Sequence, residues 1–244
     1  MAGTLGENMA EPAKSSLSPS PPSAGSRQVL VWDAAVRVFH WLLVALIAFM
    51  WWSGSQKGAW MTWHFYSGYA ILTLLIFRII WGFVGGTHAR FADFLYGPRA
   101  IFGYLKTLPS RTAAKFAGHN PVGGWSVMLM LLCLAVQVGT GLFASNDDTG
   151  FEGPLVKLVS GATSGFLTGI HRISIYVLLS VVAVHISAVL YYLVYKKENL
   201  IGPMFTGRKH LPETLAGAAR RVGGSGAALV VLAVAVAVVY FVVR

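Results

Sequence analysis

Two histidines in one long apolar segment have the residue type and the spacing to do chemistry. His171 and His185 lie 14 positions apart in the apolar run 166–195. At about 100° per residue, 14 residues return a helix to within about 40° of its starting direction, so both imidazoles leave one face. They would lie about 21 Å apart along the axis, most of the roughly 30 Å hydrocarbon thickness of a bilayer. Ionisable residues in spanning helices are rare and functional. The spacing therefore suggests two metal centres stacked across a membrane.

The elements that would position these histidines are apolar and long enough to span a membrane. The chain is 55% hydrophobic and 11% charged, whereas soluble domains carry about 25% charged residues. Its mean hydropathy is +0.63. This composition predicts an all-α membrane protein with five transmembrane helices. The five apolar runs are 36–52, 60–84, 123–144, 166–195 and 226–243. The net charge of +10 comes mainly from the connections, which is typical of membrane topology and not of nucleic-acid binding.

The charges of the connections predict how the helices cross the lipid. Lys and Arg dominate the connections from the second to the third helix and from the fourth to the fifth. The third connection is acidic and carries Asp147, Asp148 and Glu152, a candidate docking site for a basic partner. The positive-inside rule then places the N-terminus in the cytoplasm and the C-terminus outside, in the periplasm of a bacterium. Residues 1–28 are rich in Ser, Pro, Ala and Gly and are predicted to be a disordered cytoplasmic tail. Residues 211–225 are predicted to be a cytoplasmic linker.

Four histidines fall in the predicted helices, and the topology gives each of them a depth. His40 and His185 lie toward the cytoplasmic side, and His64 and His171 lie toward the outer side. Imidazole nitrogen suits both axial positions of a haem iron, so two bis-histidine sites match two b-type haems. For any one of these residues, a buried hydrogen-bonded histidine is the alternative. Covalent haem attachment is not expected, because Cys133 is the only cysteine; it is interpreted as a packing residue.

Arginines near these histidines are candidate cofactor-binding residues. Arg37 and Arg172 lie close in sequence to predicted ligands, and Arg78 follows His64 by 14 residues. Arg78 therefore reaches the depth of the cytoplasmic pair. Guanidinium groups bind carboxylates bidentately, which suits haem propionates. The alternative is that the side chains extend to the lipid headgroups, which fits Arg37 and Arg172 better than Arg78.

Small residues are the remaining candidates for contact with a cofactor. Gly68 follows His64 by one turn, and Gly139 and Gly141 lie in the third predicted helix. They leave room for a flat macrocycle, and close helix packing explains them equally well.

The connections between the apolar runs contain a predicted short helix and three further histidines. Residues 98–108 begin with a proline and predict a short helix on the cytoplasmic interface, with a solvated linker as the alternative. Three histidines, His88, His119 and His210, fall in cytoplasmic connections among polar residues and are predicted to be solvated.

Four sequence segments carry a resemblance to a known family. They are WDAAVRVFHW at 32–41, H-x-x-x-G-Y at 64–69, GHNPVGGW at 118–125 and IHRISIYVLLSVVAVH at 170–185. With them, residues 29–210 resemble the bacterial cytochrome b561 and nickel-iron hydrogenase cytochrome b family. The resemblance implies a four-helix transmembrane haem-binding bundle with two haems b. His40 and His185 would ligate one haem, and His64 and His171 the other. The fifth helix, 226–244, goes beyond this core and is predicted to be peripheral.

The resemblance also implies a function. Family members carry electrons between a redox partner, such as a c-type cytochrome or a hydrogenase, and the quinone pool of the respiratory chain in the bacterial inner membrane. A second hypothesis is a stand-alone haem enzyme, either a superoxide oxidase or a quinone reductase. A third is a proton-coupled transporter with a histidine relay. The apolar runs contain no acidic residue, so the sequence offers no support for the third hypothesis.

Overall fold

The computed structural model describes residues 25–56, 58–111, 115–146, 150–216 and 223–244. Five helices in this part of the chain are long and apolar enough to cross a membrane, which confirms the predicted fold class. They are α1 (Ala34–Ser53), α2 (Ala59–Val84), α5 (Pro121–Gly141), α6 (Gly161–Val194) and α9 (Ser225–Val243). The shorter helices between them are α3 (Phe91–Phe94), α4 (Pro98–Leu105), α7 (Ile201–Thr206) and α8 (Glu213–Ala216).

Capping residues set where three of the spanning helices begin. Asp33 caps α1, Asn120 caps α5 and Ser160 caps α6, and each side-chain oxygen accepts a hydrogen bond from an amide of the first turn. Pro121 follows Asn120 at the first helical position, where its missing N–H costs nothing. Helix α6 therefore begins five residues before the apolar run that predicted it, because the cap lies outside that run.

Helix α2 lies at the centre of the bundle. It packs against α1, α5 and α9, and eight of its residues are buried. Helix α6 packs along α5. Helix α9 packs along α2 and also contacts α1, and it buries Val231, Ala235 and Val239, which are spaced by four residues on one face. The C-terminal helix is therefore more closely attached to the bundle than its uniform Ala and Val composition predicted.

A small sheet joins the segment before α1 to the segment after α7. Strand β1 (Ser26–Leu30) pairs antiparallel with the strand Arg208–Pro212. Leu211 on the latter is fully buried against Val31 and Ala117. The folded unit therefore extends into segments that composition assigned to the tail and to the linker. Strand pairing is a long-range interaction that local composition does not report. Residues 1–24 and 217–222 of the same two segments lie outside the described residues.

The two ends of the bundle differ in charge. We call the end that carries β1, α3, α4 and α7 the basic end, because its connections hold most of the lysines and arginines of the described chain. The predicted helix at 98–108 is present there as α4, which ends at Leu105. At the opposite end, β2 (Ser145–Asn146) pairs with β3 (Phe151–Glu152). The strand Arg208–Pro212 is thus β4. Of the predicted acidic docking site, Asp147 and Asp148 lie outside the described residues.

Candidate functional site

Two of the four predicted ligands face each other at the opposite end of the bundle. The ring centres of His64 on α2 and His171 on α6 lie 6.4 Å apart. Metal–imidazole bonds are about 2 Å long and the ring centre lies about 1 Å behind the nitrogen, so imidazoles on either side of one metal have centres about 6 Å apart. The observed separation therefore suits a metal held between the two rings. We call these residues the opposite-end pair.

Hydrogen bonds orient the rings of the opposite-end pair. The Nδ1 atom of His171 donates to the backbone carbonyl of Gln137 at 2.8 Å, and because a carbonyl only accepts, Nε2 of His171 is the unprotonated nitrogen. The Gln137 side chain is held in turn by Ser174, whose hydroxyl donates to it, and its amide lies 3.4 Å from His171 Nε2. Ser53 is fully buried and its hydroxyl lies 3.1 Å from Nδ1 of His64. Partners of this kind fix the tautomer of metal-ligating histidines.

Two glycines make room for these imidazoles. A Cβ atom added to Gly141 would lie 2.9 Å from Cε1 of His171, and one added to Gly54 would lie 3.1 Å from Cε1 of His64. The two predicted cofactor-binding glycines are less constrained. A Cβ atom on Gly68 would meet only the end of Met50 at 3.6 Å, and one on Gly139 would meet nothing within 4 Å. The described protein thus leaves open space at Gly139, whereas Gly68 lies within van der Waals distance of Met50.

The other two predicted ligands approach each other toward the basic end. His40 on α1 lies close enough to His185 on α6 for the two rings to interact electrostatically. The Nδ1 atom of His40 is buried and has no hydrogen-bond partner among the described residues. The ring of Trp41 packs edge-on against His40, with ring centres 5.0 Å apart. We call His40 and His185 the basic-end pair.

Helix α6 stands apart from the two helices that carry the partners of its histidines. Among the described residues, α6 has no extensive backbone contact with α1 or α2, although α6 and those two helices supply the histidines. Helix α6 has 34 residues but buries only Ser164, Leu178 and Tyr192. No group of three or more His, Cys, Asp or Glu among the described residues could hold a metal ion. A metal at either pair would therefore need further ligands from a macrocycle, and the histidine pairs fit a haem.

The three predicted cofactor-binding arginines have different surroundings. Arg172 is exposed to the outside of the bundle next to His171. Arg37 donates to the backbone carbonyl of Phe205 at 2.5 Å, while its Nε atom is buried without a partner among the described residues. Arg78 is only 3% exposed. Of the three, Arg78 is thus the one that the protein encloses.

Two histidines that the sequence predicted to be solvated are instead buried, in the case of His88, or partly buried, in the case of His119. His88 is 8% exposed, and the Nδ1 atom of His119 is enclosed without a hydrogen-bond partner among the described residues. Burial, followed by the positive charge of Arg78 and the proximity of His88, lowers the pKa of His119 to about 3. The prediction was wrong because the polar connection folds over the end of α2. His210 lies on β4 and is exposed, as predicted.

Comparison with known proteins identifies the family. Residues 31–207, which include both histidine pairs and most of the groups that surround them, match prokaryotic cytochrome b561. The chain belongs to the prokaryotic cytochrome b561 family. As a cytochrome b561, it is a multi-pass membrane protein that binds b-type haem and serves electron transport.

The cytochrome is also similar to one curated protein. It is 25% identical over 215 residues to a protein named probable Ni/Fe-hydrogenase B-type cytochrome subunit, from Rhizobium leguminosarum bv. viciae. The similarity covers 75% of this chain and 89% of that protein. No solved structure matches the chain.

Sequence reasoning missed several groups that shape the site. Ser53, Gln137 and Ser174 contact the opposite-end pair, and Gly54 faces it. One signal was available for Gln137: it is an uncharged polar residue in an otherwise apolar helix, four residues before Gly141 and so on the same face.

Proposed function

We propose that this cytochrome b561 is a di-haem electron carrier, with one haem b between the members of each histidine pair. The observation that carries the proposal is the arrangement of the four histidines. His171 and His185 lie 14 residues apart on α6, and each meets a histidine from α1 or α2. Haem iron bound there supplies reversible one-electron chemistry.

The residues of the chain supply ligation, orientation and a dry environment. The four imidazoles would hold the two metals, and Ser53 and Gln137 hold the opposite-end rings in place. We propose that Arg37, Arg78 and Arg172 bind the carboxylates of the cofactors. The small residues Gly68 and Gly139 would lie beside the macrocycles. Apolar helices around both pairs exclude water, which contributes to the reduction potentials.

The electron partners that we propose are a quinone and a redox protein. A groove of about 370 Å³ between α5 and α6 is almost entirely apolar and includes Ile173, Ser174 and Val177. Ile173 and Val177 are exposed on the outside of the bundle, and Ser174 contacts Gln137, which holds His171. The groove therefore offers a lipid-soluble quinone access beside the opposite-end pair. The name of the Rhizobium relative supports a hydrogenase-type partner, with a c-type cytochrome as the alternative.

The charge distribution supports an orientation. We propose that the protein lies in a bacterial inner membrane with the basic end in the cytoplasm and the C-terminus in the periplasm. The basic connections of α2–α5 and α6–α9 carry this part of the proposal through the positive-inside rule.

The haem content of purified variants tests the proposal. Wild-type protein in detergent should contain two haems per chain by pyridine haemochrome assay. His171→Ala and His185→Ala should each lose one haem, and the double variant should lose both. His210→Ala is the matched control, because this histidine is exposed on β4, and it should keep both haems. One haem per wild-type chain, or loss of the same spectral component in both single variants, would contradict the proposal.

A further inference from the structure

Arg78 is a buried cation that forms no salt bridge with a carboxylate among the described residues. The residue is 3% exposed, and its Nη1 atom has no hydrogen-bond partner among the described residues. The ion pairs formed within the described ranges join Arg90 to Asp93 and Lys209 to Glu198, so none involves Arg78. Burial of an unpaired charge costs several kcal/mol unless a counter-charge compensates it. The position therefore suits a negatively charged group from outside the chain.

The nearest carboxylate of the chain is occupied by other donors. Asp33 is close enough to Arg78 for an electrostatic interaction, but each of its two oxygens already accepts a hydrogen bond from another donor. One accepts the amide of Val36 at 2.8 Å and caps α1, and the other accepts the indole N–H of Trp81 at 3.2 Å. Asp33 thus holds the start of α1 against α2 and, among the described residues, forms no hydrogen bond to Nη1 of Arg78.

His119 brings a second polar atom without a partner to the same place. Its ring packs against Phe94 with ring centres 4.7 Å apart, and the Arg78 guanidinium lies over the same Phe94 ring at 5.9 Å. His119 also interacts electrostatically with Arg78 and with His185, a member of the basic-end pair. Its enclosed Nδ1 atom is therefore close to both the buried cation and the proposed haem.

The surroundings favour an anion that reaches the protein interior. Aromatic rings enclose the two groups: Phe91 and Phe94 lie beneath the guanidinium, and Trp32 packs against His119 with ring centres 4.8 Å apart. A headgroup or a free anion would have to pass this aromatic layer. A carboxylate attached to a cofactor at the basic-end pair is delivered with that cofactor.

We propose that Arg78 and His119 together bind one propionate of the haem at the basic-end pair. Both act as positioning residues: the guanidinium and the Nδ1–H of the neutral imidazole donate hydrogen bonds to the same carboxylate. The inference rests on the proposed di-haem function and adds His119, a residue from the connection before α5, to the haem site. It explains why Nη1 of Arg78 and Nδ1 of His119 are buried without hydrogen-bond partners in the described part of the chain.

Redox titrations of single variants test the pair. Arg78→Gln and His119→Phe should each lower the midpoint potential of the basic-end haem and leave that of the other haem unchanged, because an uncompensated propionate favours ferric iron. The two effects should be less than additive, since both residues serve one carboxylate. Arg78→Lys should restore part of the shift. Arg90→Gln is the matched control, because this arginine lies at the same end, is more exposed and is already paired with Asp93. The His40→Ala variant shows which spectral component belongs to the basic-end haem, because it should retain only the spectrum of the opposite-end haem.

Reconstitution with esterified haem identifies the anion. The wild-type basic-end site should prefer haem with free propionates over its dimethyl ester at least tenfold, and this preference should disappear in the Arg78→Gln/His119→Phe variant. Equal preference in the two proteins would overturn the inference, as would a midpoint potential that depends on added inorganic phosphate or on anionic lipid. Failure of the di-haem function is a separate outcome, since the wild type would then lack the second haem before any variant is made.

Discussion

At the scale of single residues, hydrogen bonds distinguish the two histidine pairs. Nδ1 of His171 donates to a carbonyl and Nδ1 of His64 lies beside the Ser53 hydroxyl, whereas Nδ1 of His40 is buried without a partner among the described residues. An acceptor at Nδ1 raises the basicity of a metal-ligating imidazole. More basic axial ligands stabilise ferric iron. The proposed haem at the opposite-end pair therefore has the more strongly donating ligands.

Ser53→Ala tests the role of this hydrogen bond. The Ser53 hydroxyl donates to the carbonyl of Met50 at 3.4 Å, which leaves its oxygen free to accept from His64. Removing the acceptor should raise the midpoint potential of the opposite-end haem and weaken its binding about tenfold or more. Potentiometry with haem quantification measures both. Ser55→Ala removes an exposed hydroxyl from the same turn and should change neither quantity. An unchanged potential in Ser53→Ala would show that the contact does not tune the ligand.

His119 should make the haem-free protein sensitive to acid. Burial, Arg78, His88 and His185 lower the pKa of His119 to about 3, against about 6.5 in an unfolded chain. As the pH falls, the unfolded state therefore binds a proton at His119 before the folded state does. The contribution of neutral His119 to the free energy of unfolding is complete above about pH 6.5 and is lost as the pH falls toward 3. At pH 5 the loss is about 2 kcal/mol.

Thermal unfolding of haem-free protein in detergent between pH 7.5 and 4.5 measures this effect. The haem-free form is needed because a carboxylate bound beside the ring would favour the protonated imidazole. His119→Phe should lose less stability on acidification than the wild type, and His210→Ala should behave like the wild type. Parallel pH profiles for wild type and His119→Phe would contradict the burial argument.

Residue type and spacing selected four candidate ligands but did not predict their surroundings. The four histidines are ionisable groups in apolar runs, so the cost of burying them marks them as functional. Ser53 and Gln137 lie in the same helices, but their role depends on how α1, α5 and α6 are rotated toward one another, which no local pattern specifies. His119 was misjudged because its neighbours in sequence are polar while its neighbours in space are Phe94 and Trp32.

At the scale of elements, α5 serves as the support of α6 at the opposite-end pair. Gln137 and Gly141 are four residues apart on one face of α5, and both meet His171. The first holds the imidazole through its carbonyl, and the second leaves the volume that the ring occupies. The close approach of α5 and α6 is thus tied to the orientation of one proposed ligand.

Gly141→Ala should leave helix α5 folded but weaken haem binding at the opposite-end pair. Alanine favours a helix over glycine by about 1 kcal/mol, but its Cβ atom would lie 2.9 Å from Cε1 of His171 and displace the ring. The variant should keep its fold and lose the opposite-end haem, measured by circular dichroism and haemochrome assay. Gly165→Ala is the matched control in α6, since a Cβ atom there meets nothing within 4 Å. Two haems in Gly141→Ala would show that the ring can move without loss of ligation.

Hydrophobic runs predicted every spanning helix, and errors were confined to the helix ends and to contacts between distant segments. Side-chain caps fall outside an apolar run, which explains the early start of α6 at Ser160. The pairing of β1 with β4 joins residues about 180 positions apart, and only the folded bundle brings them together. Sequence patterns thus describe the helices well and their mutual arrangement less well.

At the scale of the whole molecule, the two histidine pairs divide the bundle into two halves. The opposite-end pair is linked to the apolar groove through Gln137 and Ser174, and His119 lies near both His185 of the basic-end pair and the enclosed Arg78. With about 21 Å between His171 and His185 along the axis of α6, neither site alone spans the lipid. Transfer of electrons from one side of a membrane to the other should therefore need both pairs, whereas reduction of a single haem should need only one.

Proteoliposomes with ferricyanide trapped inside test this requirement. The proteoliposomes are sorted for one orientation, and an impermeant reductant is added outside. Wild-type protein should reduce the trapped ferricyanide, and His40→Ala should slow this reduction at least tenfold. The haem that remains in His40→Ala should still be reduced when the opposite-end pair faces the reductant. His64→Ala should slow the trapped reaction equally but leave the other haem, and His210→Ala should match the wild type because this exposed histidine serves neither pair. Undiminished transfer in His40→Ala would mean that one site conducts electrons across the bundle by itself. The two-site architecture would then serve another purpose.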